Sequence, residues 1–397
     1  MTGKPNEPME LLGALCAIDS RTIPGAAGTA QVAELLAREL RALGFDLTWV
    51  DAATDDAGPR GRHLKATRNP HAPTRLVLIG HTDTILSPAD VPFRLDPLSG
   101  RVYGSGVSDM KGGCVVLLEA LRLAIAETGA ARNAGLTVLL NCSEELAESS
   151  FRGLVREAAK GAAACLGFEP APPGPGGEHG IIIARKGVAC FELACFGRAG
   201  HAGNDHANGV NAIRELARKI EQIEALTDYA SGVTANVGRI SGGCVSNQVA
   251  DEARALFEVR AFDTELMRRA CDAVGRICAE PSVRSAADGT PARLELRERD
   301  SYPPWPANSG SDALAGRYVK LAAKQGITAR PVARGGGSDV SHAADLTPAL
   351  DGLGILGGGL HSKSEWADAA TLPVRARIAA DLIAELCVPP VTPTGCA

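Results

Sequence analysis

The residues best able to do chemistry in this chain are His81, Asp83, Asp109, the doublet Glu144-Glu145, Glu169 and His361. His81-x-Asp83 closes the apolar run Leu76-Val77-Leu78-Ile79-Gly80, and the doublet follows Leu136-Thr137-Val138-Leu139-Leu140. Glu169 follows a third apolar run at 162–168. In an extended chain His81 and Asp83 point the same way, because side chains alternate with period two. A carboxylate behind an imidazole suits a metal ligand and the group that orients it. Acids set just after apolar strands also need partners, since unpaired burial of charge is unfavourable.

One member of each feature makes a set of two imidazoles and three carboxylates, suited to zinc, or to cobalt or manganese in its place. Two ions about 3.5–4 Å apart form one cooperative site, which a carboxylate can bridge. We assign Asp109 as that bridge, with His81 and Glu169 on one ion, Glu145 and His361 on the other, and Asp83 fixing the His81 tautomer. Glu144 then remains free to face the cavity as a general base that takes a proton from water and passes it to a leaving nitrogen.

The elements that must position these groups follow from apolar periodicity. Helices are expected at 8–20 and 29–43, the second with Val32, Leu35, Leu36, Leu40 and Leu43 on one face, followed by a short strand at 47–50. The polar stretch 51–71 reads as a hairpin or loop before the strand at 76–80. Lys111-Gly112-Gly113 opens a helix over 114–127, its glycines letting backbone approach the sheet and site loop closely. A strand at 136–140, a helix at 147–160 and a strand at 162–168 complete a pattern that delivers polar groups at strand C-terminal ends. Strands at 187–196, 233–240, 253–261 and 292–298 with helices at 208–224 and 264–280 spell β-α-β-β-α-β, a small sheet with helices on one face. Helices at 311–325 and 372–386 return to the first domain. The expected organisation is an α/β catalytic domain over 1–186 and 298–397, interrupted by a smaller α+β domain over 187–297.

At 397 residues the chain exceeds what one core normally supports, in keeping with two domains. A net charge of −5 gives no electrostatic argument for nucleic acid or an anionic membrane. No apolar stretch approaches membrane-spanning length, and the N-terminal residues lack the basic and apolar regions of a secretory signal. The 11 cysteines lack metal-ligand spacing and read as buried thiols in a reducing cytoplasm.

The blocks Gly80-His81-Thr82-Asp83-Thr84, Gly104-Ser105-Gly106-Val107-Ser108-Asp109-Met110-Lys111-Gly112-Gly113, Ser143-Glu144-Glu145, Phe168-Glu169-Pro170, Gly200-His201-Ala202-Gly203, Gly335-Gly336-Gly337-Ser338-Asp339 and His361-Ser362 with Glu365 resemble one family. It is that of the di-zinc exopeptidases and amidohydrolases, peptidase family M20, which includes glutamate carboxypeptidase, acetylornithine deacetylase, succinyl-diaminopimelate desuccinylase and aminoacylase. The resemblance implies a catalytic domain interrupted by a ferredoxin-like dimerisation or lid domain, a homodimer, two zinc ions per subunit, and the roles assigned above to His81, Asp109, Glu145, Glu169, His361 and Glu144. It also makes His201 an oxyanion-stabilising donor, in many members reaching the partner subunit's active site, and Asn247 a substrate-holding residue. A hydrolase of this kind must hold a free carboxylate, most readily with arginine. By resemblance Arg260 lies on a small-domain strand facing the cleft, and Arg334 precedes the triple-glycine loop.

The pattern is closest to the glutamate carboxypeptidase branch, but it departs at Glu298-Arg299-Asp300-Ser301-Tyr302, where one arginine stands between two acids. That departure puts a strict C-terminal glutamate preference in doubt, and Tyr302 and Trp305 could line a pocket or pack in a core. The expected activity is hydrolysis of an amide in a small peptide or N-acyl amino acid, carboxypeptidase-like, by metal-activated water with Glu144 as base. The alternatives are an N-acetyl or N-succinyl amino-acid deacylase and a non-catalytic binding protein that keeps the fold.

Overall fold

The strand Arg75–His81 is buried from Leu76 onward and pairs in parallel on both sides, with Gly135–Asn141 and with Ala164–Gly167. This is a computed structural model, which describes residues 7–23, 26–55, 58–59, 61–146 and 150–388. The full sheet has six strands in the order Asp46–Asp51, Arg62–Arg68, Gly135–Asn141, Arg75–His81, Ala164–Gly167, Ala349–Leu350. Its first two pairings are antiparallel and the rest parallel. After Arg75–His81 the chain adds one strand on one side and the next on the other. The strand order therefore reverses at His81, the place where open α/β sheets build crevices.

Helices over Glu7–Cys16, Gly28–Ala42, Lys111–Glu127 and Thr371–Leu386 share the core of this sheet. In Gly28–Ala42, Val32, Leu36 and Leu40 are fully buried, while Leu35, and Leu43 just after the helix, pack at the margin of the core. Lys111–Glu127 starts against the sheet because its glycines carry no side chain: a Cβ on Gly113 would lie 1.9 Å from the carbonyl oxygen of Phe168. A small sheet of Arg94–Leu95, Arg101–Tyr103, Trp366–Asp368 and Gly357–Gly358 brackets the loops that carry Asp109 and His361.

The stretch 51–71 differs from expectation. Besides a short hairpin, it contains the strand Arg62–Arg68, inserted between Asp46–Asp51 and Gly135–Asn141. Its basic residues mask a strand whose Leu64 and Ala66 are fully buried. The helix expected at 147–160 is seen as Ser150–Ala159, and residues 147–149 lie outside the described residues.

The chain divides into two units, one of residues 1–184, 307–333 and 338–397 and the other of Arg185–Pro306 and Arg334–Gly337. The second unit therefore reaches beyond residue 297: its last strand runs Arg293–Tyr302, and Arg185 holds the glycine loop by donating to the carbonyls of Gly336 and Gly337. Its antiparallel sheet has the order Thr234–Gly242, Glu252–Ala261, Gly187–Phe196, Arg293–Tyr302. The helices Ala212–Glu224 and Thr264–Ala279 pack on it and on each other. Both are capped by side chains, Asn211 accepting from the Arg214 amide and Asp263 from those of Glu265 and Leu266. Tyr302 and Trp305, both in this unit's segment of the chain, are buried.

No helix among the described residues is long and apolar enough to cross a membrane. The ten cysteines among the described residues are free thiols.

Candidate metal centre

All five proposed ligands lie in the first unit, and the Asp109 carboxylate stands between the two imidazoles. Its Oδ1 is 3.1 Å from His81 Nε2, and its Oδ2 is 3.3 Å from His361 Nε2. His81 Nε2 is also 3.7 Å from Glu169 Oε1, and His361 Nε2 is 3.0 Å from Glu145 Oε2. Each imidazole nitrogen thus faces two carboxylates, with Asp109 common to both pairs. Donor atoms of His81, Asp109 and Glu145 lie within 4.8 Å of one another.

Strand ends and loop braces create this convergence. His81 ends its strand and turns Nδ1 onto Asp83, 3.1 Å from the carbonyl and 3.3 Å from Oδ1. Nε2 is thereby left to the carboxylates. Asp83 is fully buried and does more than orient His81. Its Oδ1 accepts the Glu144 amide at 3.1 Å, and its Oδ2 accepts the Glu145 amide at 3.1 Å and the Thr22 hydroxyl at 2.9 Å. One carboxylate therefore positions both the histidine and the acid doublet. The peptide bond between Asp109 and Met110 is cis, and His361 takes the left-handed region at φ 58°.

Glu365 is a positioning residue that motif matching names without giving a role. Its carboxylate accepts the amides of Gly106, Ser108 and Asp109 at 3.1, 2.9 and 3.0 Å, tying the Asp109 loop to the loop that carries His361. The sequence signal is an acid four residues after a candidate ligand, which by itself predicts no such long-range clamp.

The electrostatics test whether these residues suit cations. Burial, and then the charge of Glu169, hold Glu144 well above the usual carboxylate range. Burial and the neighbouring Asp109 push Glu145 up to about 7. Asp109 is held low despite burial, because His361 and His81 both donate to it. Contacts to Asp109 and Glu145 raise His361 to about 10, and Glu169, Asp109 and Asp83 raise His81 against the effect of its burial. A crowd of buried acids balanced only by protonated imidazoles is what divalent cations would replace, each imidazole then offering Nε2 as a ligand. The donor set fits.

The other candidates belong to the second unit. His201 is exposed, and its Nδ1 accepts the amides of Gly203 and Asn204, each at 3.1 Å, so in the neutral ring Nε2 carries the proton. Asn247 is also exposed, and its carbonyl accepts the Ala202 amide, joining the two loops. Arg260 forms a two-pronged pair with Glu258 at 2.6 and 2.9 Å and donates to the Gly335 carbonyl at 2.9 Å. Arg334 is exposed, and its carbonyl accepts the Lys186 amide.

The mixed α/β fold and a cage of histidines and carboxylates at the sheet's switch point define a metallohydrolase class. The family model described as Peptidase family M20/M25/M40 matches residues 77–385, and the chain belongs to that family. Carboxypeptidase G2 of Pseudomonas sp. (strain RS-16) is 29% identical over 367 residues, covering 91% of this chain and 85% of that protein. Succinyl-diaminopimelate desuccinylase of Methylobacterium radiotolerans is 27% identical over 323 residues, covering 75% and 77%. Among solved structures, a tripeptidase from Staphylococcus aureus shares the fold with a TM-score of 0.74 at 21% identity, covering 97% of this chain and 99% of that one. A Bacillus subtilis protein described as a dinuclear metal binding peptidase gives 0.64 at 16% identity, covering 96% and 98%. The chain is thus a metal-dependent hydrolase of the M20 type.

Proposed function

We propose that this hydrolase cleaves the amide bond of a small peptide or N-acyl amino acid in the manner of a carboxypeptidase, with Glu144 as general base. The carrying observation is the Asp109 carboxylate, which offers one oxygen to the His81 side and the other to the His361 side. His81 and Glu169 would hold one ion, His361 and Glu145 the other, and Asp109 both. Zinc suits these donors best, with cobalt or manganese as substitutes. Such ions would polarise the scissile carbonyl and lower the pKa of water.

The chain's own residues do the rest. Asp83 holds the backbone of Glu144 and Glu145, so the base is carried on a fixed turn beside the ligand. Glu144 takes the proton of the attacking water and delivers it to the leaving nitrogen. His201 donates from Nε2 to the developing oxyanion, in a homodimer by way of the partner subunit's site. Asn247, Arg260 and Arg334 hold the substrate, Arg260 at its carboxylate. The relatives named a carboxypeptidase and a desuccinylase support this substrate range. A cytoplasmic location accords with the free thiols.

Glu144→Gln tests the base. It is expected to lower kcat by at least about 100-fold while bound metal stays the same. Near-normal turnover in the metal-loaded variant would sink the assignment. A panel of N-acetyl, N-succinyl, N-aroyl and dipeptide substrates separates the carboxypeptidase reading from the deacylase one.

A further inference from the structure

The Ser338-Asp339 dipeptide that closes the triple-glycine loop is not among the proposed ligands, yet both of its side chains are buried beside the strand ends that carry the acids. Asp339 Oδ2 accepts Asn141 Nδ2 at 2.9 Å, and Asn141 Oδ1 accepts the Ser143 amide at 2.9 Å. Asn141 is fully buried at the end of its strand, and its carbonyl also accepts the amide and hydroxyl of Thr82 at 2.8 and 3.1 Å. Ser338 donates to Asp351 Oδ2 at 2.9 Å, while Asp351 Oδ1 accepts the Gly352 amide at 2.7 Å and the Glu169 amide at 3.4 Å. The short helix Asp339–His342 can sit this close because Gly167 has no side chain: a Cβ there would lie 2.2 Å from Asp351 Oδ1 and 2.4 Å from a Val340 methyl.

We propose that Ser338 and Asp339 are a pair of positioning residues, Asp339 acting through Asn141 to aim the Glu144-Glu145 turn and Ser338 acting through Asp351 to aim Glu169. The proposal rests on the roles given to those acids above. A backbone amide only donates, so Asn141 Oδ1 must face Ser143, which leaves Nδ2, a donor, for Asp339 Oδ2. The Asn141 side chain therefore satisfies Asp339 and Ser143 together in one orientation, with Nδ2 toward Asp339 and Oδ1 toward Ser143. That orientation fixes where the chain leaves the strand, one residue before Glu144. Asp351 plays the matching part on the far side of the central strand. Two strand ends that never pair with each other are thus referred to one dipeptide, so a shift at either end is resisted by the same short helix.

The test is a swap. Asn141→Asp sets two acceptors against each other, Asp339→Asn removes the charge, and the double variant restores a donor facing an acceptor while still accepting the Ser143 amide. In Asn141→Asp, amide hydrogen exchange over residues 141–146 is expected to rise and kcat to fall about 10–100-fold, with KM changed less than about threefold. The double variant is expected to recover most of both losses. Ser338→Ala is expected to weaken zinc binding about tenfold in chelator competition, with the circular dichroism spectrum preserved. Unchanged exchange in Asn141→Asp, or no recovery in the double variant, would overturn the proposal. If the wild type proves inactive on the whole amide panel, the functional reading falls, and the exchange measurement still decides whether the pair braces the turn.

Discussion

Asp109 and Asp83 show how much one carboxylate can determine. Asp109 gives one oxygen to each half of the cage, so neither half is complete without it. Asp109→Ala is expected to reduce bound zinc from about two equivalents per chain to fewer than about one, measured by elemental analysis after dialysis. Two equivalents retained at wild-type affinity would exclude the bridge. Asp83 works on the opposite side, satisfying His81, Thr22 and the amides of Glu144 and Glu145 at once. Asp83→Ala leaves buried donors unmatched. Stability is expected to fall by about 1–3 kcal/mol in urea unfolding, and kcat by about 10–100-fold. A variant that lost stability but kept full kcat would make Asp83 a folding residue only.

At the scale of elements, close approach of backbones decides where the acids end up. Gly113 lets the helix Lys111–Glu127 start against Phe168, directly before Glu169. Gly113→Ala is expected to destabilise the fold by about 1–3 kcal/mol, because the new methyl has a carbonyl in its place. Gly153, on an exposed face of Ser150–Ala159, has nothing within 4 Å of its absent Cβ. There the same change is expected to stabilise by about 0.5–1 kcal/mol through backbone entropy and helix propensity. Chemical denaturation of the two variants should shift in opposite directions. The parallel strands around His81 were legible in the sequence because they are continuous apolar runs with polar groups at their ends. Arg62–Arg68 was not, since its basic residues break the run and its burial comes from its two neighbours. Among the site residues, the side chains that the structure brings together, His81, Asp109, Glu145, Glu169 and His361, could be picked out from motifs. The clamp of Glu365 on Gly106, Ser108 and Asp109 and the reach of Asp339 to Asn141 are long-range contacts that no local pattern encodes.

For the whole molecule, one source of pH dependence in stability is the buried histidine His179. Arg375 is fully buried, donates to the carbonyls of Gly352 and Gly354, and lies 3.2 Å from His179 Nδ1. Because arginine only donates, Nδ1 must accept, and His179 is held neutral. Burial, and then Arg375, lower its pKa to about 4. In the unfolded chain the value is about 6.5, so between these limits the unfolded state binds the extra proton. This contribution is present in full above pH 6.5 and is lost as pH falls toward 4, an effect of about 3 kcal/mol. Urea midpoints at several pH values should therefore fall on acidification, and His179→Gln should flatten that slope. Equal slopes in the two proteins would remove His179 as the cause.

The clamp between Gly106 and Glu365 closes a span of 259 residues. During synthesis the segments bearing His81, Asp109, Glu144, Glu145 and Glu169 leave the ribosome well before His361 and Glu365 exist, with the whole Arg185–Pro306 segment made in between. Until the last segment arrives, the nascent chain carries a group of acids with neither its second imidazole nor its clamp. On the proposed ligand set, a full metal complement could be held only once residues 361–365 have been made, and termination before residue 361 would yield a chain in which the cage cannot close.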